Sequence, residues 1–237
     1  LQEFKRAASM GKYQGMDIEI LTPQEAKDLY PFLETHDLVG ALYDPNDGDI
    51  DPAQLTQALA KGARDLGAKI LRFTPAIGVT QKKDKTWTVH TEKGYIDCKY
   101  VVNAAGYYAQ QVGDWFKPYG GRTVPMMVMS HQYLLSEEIP EIEQYTKTSG
   151  KKLPLLRDVD VSYYLRQEKN GFNLGPYEPN CKAHWATEDD PMPDDFSFQL
   201  WNDDLDRIED IVSDAMERVP LLGTSGVSRV INGPIPY

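Results

Sequence analysis

VSYYLRQEKNGFNLG, residues 161–175, decides the fold of the C-terminal half. Two short runs rich in β-formers, 161–166 and 171–175, flank the polar Gln167–Asn170 segment and end on glycine, which predicts a β-hairpin. Side chains alternate faces along a strand, so Tyr164 and Arg166 share one face and Tyr163 takes the other. Working outward, residues 123–135 (TVPMMVMSHQYLL) predict another strand. Residues 203–217 predict an acidic helix with Leu205, Ile208, Ile211, Val212 and Met216 inward, and 226–231 a last strand. This half reads as antiparallel sheet with helices.

The N-terminal half is patterned differently. Residues 1–13 predict a helix. Thr22-Pro23-Gln24-Glu25 opens a second one that stops near Tyr30, with Thr22 as N-cap and Glu25 closing a capping box. Residues 38–43 predict a strand. Residues 51–67 predict a helix capped by Asp51, with Leu55, Ala58, Leu59, Ala63 and Leu66 as its buried stripe. Strands are expected at 69–73, 76–80, 86–91, 95–98 and 99–103. The small-residue turn Asn103-Ala104-Ala105-Gly106 then feeds a helix over 107–116. The class is therefore α+β in one part and α/β in the other.

The 237 residues carry 25 Lys+Arg against 36 Asp+Glu, a net charge of −11. That balance makes a poor partner for phosphate backbones, so no nucleic acid is expected. At 41% hydrophobic content the chain can bury a core, and no run approaches a membrane span. Cys98 and Cys181 stand far apart with no CxxC, which gives no zinc site and favours a reducing compartment. The Asp44–Asp51 run fails the EF-hand register, because the first loop position falls on Tyr43. It reads as a turn and helix cap, and no metal is expected.

Three places carry candidate chemistry. Ala104, Ala105 and Gly106 sit where a strand meets a helix, and small side chains let a ligand approach the backbone. A strand simply ending at glycine explains the same pattern, and there is no G-x-G-x-x-G in the chain. His131, in an otherwise apolar strand with Tyr133, suits a base or a carboxylate ligand, and equally a core histidine with its bonds satisfied. Tyr164 and Arg166, with Tyr177 in the following GPYEPN, suit a small carboxylate. An aromatic strand with Arg166 in an ordinary salt bridge competes with that reading.

Six stretches in order carry a resemblance: GALYDPNDGDIDPAQL, GAKILRFTPAIGV, YVVNAAGYYAQQVG, VPMMVMSHQYLL, VSYYLRQEKNGFNLGPYEPN and RVPLLGTSGVSRVINGPIPY. Together they resemble the FAD-dependent amine oxidoreductases of the D-amino-acid-oxidase superfamily, on the branch of dimethylglycine and sarcosine dehydrogenases and oxidases. The resemblance implies a substrate-domain part over 1–50, a partial FAD-binding, Rossmann-like domain over 51–118 and a substrate-binding domain over 119–237. It implies Ala76 backbone groups against the FAD adenine, and Ala104, Ala105, Gly106 and Tyr108 along the ADP part. It places His131 and Tyr164 at the bound amine as catalytic residues, with Arg166 and Tyr177 lining the substrate pocket. The implied reaction oxidises a C–N bond of an N-methylated glycine, with hydride passing to FAD. Another small acid as substrate, or a non-catalytic carboxylate-binding module, stands as the alternative.

The resemblance also implies a small amino-acid substrate, an electron-acceptor protein, and a cytoplasmic location or the mitochondrial matrix in a eukaryote. The family's N-terminal glycine-rich motif and its C-terminal FAD segment do not appear in the sequence, so the chain reads as a fragment. Apolar surface left without core partners is then expected to promote self-association. The 237 residues alone are expected neither to retain FAD tightly nor to turn over. Purified chain should be colourless, and a bound-flavin absorbance spectrum would contradict this.

Overall fold

The structure, a computed structural model, describes residues 1–187, 189–193 and 195–237. In chain order these form α1 (Gln2–Tyr13), β1 (Glu19–Leu21), α2 (Pro23–Leu29), β2 (Ala41–Tyr43), α3 (Pro52–Asp65), β3 (Ala76–Gln81), β4 (Trp87–Thr91) and β5 (Gly94–Cys98). There follow α4 (Ala109–Asp114), β6 (Val128–Ser136), α5 (Pro140–Ser149), β7 (Leu156–Asp158), β8 (Tyr163–Glu168), β9 (Gly171–Pro176), β10 (Ala183–His184), α6 (Glu209–Arg218) and β11 (Val227–Pro236). The chain divides into two compact units. One holds residues 1–49, 131–181 and 197–233, and the other 50–130, 182–196 and 234–237.

In the first unit, antiparallel strands run in the order β7, β8, β9, β6, with β11 also on β6. Strand β8 alternates as its sequence demands: Tyr163, Leu165 and Gln167 are buried, while Tyr164, Arg166 and Glu168 are half-buried. Leu165 meets Phe172, Leu174, Ile142 from α5 and Ile208 in one core cluster, to which α2 adds Ala26 and α6 adds Ala215. Gln167 is the polar member of that face, and its bonds are made. Its amide donates to Thr146 Oγ1 at 3.0 Å and to Lys169 O at 2.8 Å, and its carbonyl accepts from Leu153 N at 2.9 Å. Buried and satisfied, it ties α5 to the hairpin turn. The capping box at Thr22 forms as predicted.

Arg218, ending α6, clamps the segment after α2. It donates to Asp37 at 2.6 and 2.9 Å, to Glu34 O at 2.8 Å and to Asp158 at 3.3 Å. The guanidinium holds the Asp37 carboxyl down to about 2.

In the second unit, β3, β4 and β5 form an antiparallel meander. Trp87 packs edge-on against Phe116 and Tyr119 at 5.0 and 5.4 Å between ring centroids, which anchors the meander to the segment after α4.

Several expectations need correction. The hairpin strands are 163–168 and 171–176, so the turn is only Lys169-Asn170, with Lys169 at φ 53°. Residues 69–73 and 99–103 join no ladder among the described residues. An apolar run demands burial without naming a partner strand, and here Val102 stays 85% exposed. The apolar stripe of α3 is likewise uncovered: the helix buries no residue, and Leu66 just beyond it is 91% exposed. Leu205 and Met216 are exposed too, although Ile208 is fully buried. Helix α5 was not anticipated, despite Pro140 at its start and Gly150 at a left-handed C-cap. No helix among the described residues is long and apolar enough to cross a membrane.

Phe172→Ala should cost about 3–5 kcal/mol in urea unfolding, whereas Leu59→Ala should stay within about 0.5 kcal/mol. Equal costs would contradict the core assignment. The Asp37 carboxylate is depressed by Arg218, so its stabilisation is full above the ordinary carboxylate range and is lost as pH falls toward about 2. The stability gap between the native chain and Asp37→Asn should therefore shrink between pH ~5 and ~2. A gap that widens on acidification would contradict the pairing.

Candidate functional site

Strands β6, β9 and β8 lie side by side, and their registers place one row of side chains on a single face. Strands β8 and β9 pair Tyr164 with Gly175 and Arg166 with Asn173, and β6 and β9 pair Leu134 with Leu174. Carrying the second register onward sets Tyr133 across from Gly175 and His131 across from Tyr177. Tyr177 donates its backbone N–H to Ser162 O at 2.7 Å, which extends the β8–β9 pairing beyond Pro176.

The rings on this face meet. His131 stacks on Tyr177 with centroids 5.8 Å apart at 23°, and Tyr177 lies 5.9 Å from Tyr164. Gly175 makes this possible, because a Cβ there would collide with the Tyr164 ring. Burial raises the Tyr164 hydroxyl above its ordinary range; Tyr177 adds to the effect and Arg166 partly offsets it. Tyr164 thus stays a neutral donor at physiological pH.

Behind His131 stands a buried ion pair. The Glu178 side chain is 1% exposed, and its Oε1 sits 3.2 Å from Arg207 Nη2, itself 7% exposed. The other oxygen, Oε2, is 3.7 Å from His131 Nδ1. Gln132, adjacent to His131 on the core face, donates to Asp204 O at 2.6 Å and accepts from Asp204 N at 3.1 Å. That exchange holds the segment carrying Arg207 against β6. Arg166 is already engaged, 3.4 Å from Asp49 and 3.2 Å from Glu168. The ordinary salt-bridge reading of this arginine therefore has geometric support.

The predicted cofactor residues all lie in the second unit. Ala76 opens β3, opposite Thr91, and is exposed. Ala104 and Gly106 are exposed and Ala105 half-buried, with Gly106 at φ 58°. Asn103 braces the turn: its amide donates to Ala109 O at 2.8 Å, and its Oδ1 accepts from Ala105 N at 3.3 Å. Nothing lies within 4 Å of where a Gly106 Cβ would stand, so the backbone here is open to a ligand. That open edge of small residues fits the nucleotide part of FAD. Tyr108 turns its hydroxyl to Phe196 O at 2.8 Å and Pro193 O at 3.3 Å, so it holds a loop rather than presenting a free donor.

Sequence reasoning missed Gly175, Glu178 and Arg207. Glu178 stands next to Tyr177 in GPYEPN, but its meaning lies in partners distant in the chain. Arg207 carries no local signal, since its pairing with Glu178 joins segments distant in the chain. The Asp44–Asp51 run is a turn and cap: Asp44 Oδ1 accepts from Asn46 N at 2.9 Å, and Asp51 Oδ1 from Ala53 N at 2.8 Å and Gln54 N at 3.0 Å.

Comparison with known proteins places the chain. The family described as FAD dependent oxidoreductase (DAO) matches residues 1–237. Mouse dimethylglycine dehydrogenase, a mitochondrial protein, is 38% identical over 241 residues, covering 100% of this chain and 27% of its own length. Mouse sarcosine dehydrogenase, also mitochondrial, is 34% identical over 239 residues, covering 99% of this chain and 24% of its own length. The chain thus spans about a quarter of these curated relatives. Among solved structures, L-proline dehydrogenase from P. horikoshii shares the fold, with a TM-score of 0.76 at 23% identity over 98% of this chain and 56% of that one. Matched along its whole length, the chain belongs to the FAD dependent oxidoreductase (DAO) family.

Proposed function

We propose that this chain supplies the substrate-facing residues and part of the cofactor edge of a flavin-dependent oxidoreductase. Its substrate would be a small secondary or tertiary amino acid of the dimethylglycine or sarcosine type. The observation that carries the reading is the single face shared by His131, Tyr177 and Tyr164, together with the relatives' named activities. Residues 1–50 and 119–237 are assigned to substrate binding and 51–118 to part of the FAD domain.

FAD, when bound, supplies the two-electron acceptor for the hydride leaving carbon next to the substrate nitrogen. The remaining work falls to side chains. The substrate nitrogen must carry a free lone pair, because that pair stabilises the iminium formed as hydride departs. His131 takes up the ammonium proton and leaves the amine neutral. Tyr164, a neutral hydroxyl, donates to the substrate carboxylate, and the Tyr177 ring walls the pocket and fixes the His131 plane. Arg166, shared between Asp49 and Glu168, contributes positive charge near the carboxylate rather than a dedicated fork. Ala76, Ala104, Ala105 and Gly106 offer backbone to the nucleotide part of FAD, and Tyr108 keeps the adjoining loop in place. The FAD-loaded enzyme would need an electron acceptor, for which an acceptor protein is the proposed class, in the mitochondrial matrix if the source is eukaryotic.

Stopped-flow flavin reduction in the FAD-loaded, full-length protein tests this reading with dimethylglycine and sarcosine. His131→Ala should slow reduction about 10²-fold or more. Tyr164→Phe should chiefly weaken substrate binding, by about tenfold. Gly175→Ala should act like Tyr164→Phe, since it displaces the same ring. Unchanged reduction in both His131→Ala and Tyr164→Phe would refute the assignment.

A further inference from the structure

The buried Glu178–Arg207 pair touches neither substrate nor cofactor in the proposed chemistry. Two charges almost wholly out of water are costly unless each is well matched. Arg207 faces Glu178 Oε1 at 3.2 Å, yet neither carboxylate oxygen makes a geometrically sound hydrogen bond among the described residues. An ionised carboxylate in that state has unfilled acceptor capacity. On its Oε2 side stands His131 Nδ1, 3.7 Å away, within ion-pair reach and just beyond a hydrogen bond. The Tyr177 ring stacks on the His131 ring. Its remaining freedom is rotation and choice of tautomer.

We propose that Glu178, fixed by Arg207, is a positioning residue that keeps the proton of neutral His131 on Nδ1. The unprotonated nitrogen is then Nε2, at the far end of the ring from the carboxylate. A negative charge facing Nδ1 favours Nδ1–H and penalises a lone pair there. An Nε2 lone pair is what a base needs when it faces a ligand. Carboxylate support of this kind also steadies the imidazolium formed on proton uptake. The consequence for turnover rests on the proposed function, but the tautomer does not.

The ring nitrogens of His131 can be read by long-range 1H–15N correlation in the full 237-residue chain at pH ~8.5, well above the ordinary imidazole range. The native chain should show Nδ1 protonated and Nε2 bare. Replacing the whole pair, Glu178→Leu with Arg207→Met, removes the acceptor without leaving the Arg207 charge buried opposite an apolar side chain; Asp204, 3.7 Å from Arg207 and partly exposed, loses one cationic neighbour. His131 should then move toward the Nε2–H form. Glu178→Asp, which keeps the charge, should retain the Nδ1–H signature and serves if the double variant does not fold. An Nε2–H histidine in the native chain, or a tautomer unmoved by the double variant, overturns the proposal. In the FAD-loaded full-length protein, the double variant should lower the flavin reduction rate about 10–100-fold with little change in the Kd of trimethylglycine, which lacks a nitrogen lone pair. If His131→Ala leaves reduction intact, the functional reading fails, and the nitrogen shifts still decide the positioning claim.

Discussion

The two-residue period of β8 governs the rest of the site. Leu165 and Phe172 have no exposed surface, and their burial fixes which face of the hairpin looks inward. A slip of one residue would send Leu165 outward and Tyr164 into the core. The same constraint that builds the hydrophobic cluster therefore presents Tyr164 and Arg166 on the opposite face. Register then carries the effect sideways, because β9 sets Gly175 beside Tyr164, and Tyr177, just past β9, stacks on His131. The aromatic row follows from strand pairing rather than from any local preference of tyrosine or histidine.

Much of this was legible in the sequence because periodicity and turn chemistry are local. The alternation of Tyr163 and Tyr164, the Thr22 capping box and the Asp51 cap are all as read. The sequence groups Tyr164 with Tyr177, and the resemblance sets His131 beside Tyr164; the structure adds the ring contacts that join all three. What was not legible depends on partners distant in the chain. Glu178 was passed over beside Tyr177 because its meaning lies in Arg207 and His131. Gly175 read as a strand end, whereas its lack of a side chain is what admits the Tyr164 ring.

The misread segments share one physical cause. Residues 69–73, residues 99–103 and the α3 stripe are apolar, and apolarity alone predicts burial. Burial also needs a covering surface. Among the described residues that surface is missing, so Val102 and Leu66 remain exposed and no ladder forms at 99–103. The meander of β3, β4 and β5 makes the contrast: each strand is joined to the next by a short turn, so its partner is specified within the local sequence.

The central claim is that the row of His131, Tyr177 and Tyr164 is where the substrate sits. A crystal structure of the FAD-loaded, full-length protein with trimethylglycine tests it most directly. The account predicts the ligand carboxylate about 3 Å from the Tyr164 hydroxyl, with its nitrogen toward the His131 ring. A ligand bound away from both side chains would contradict it.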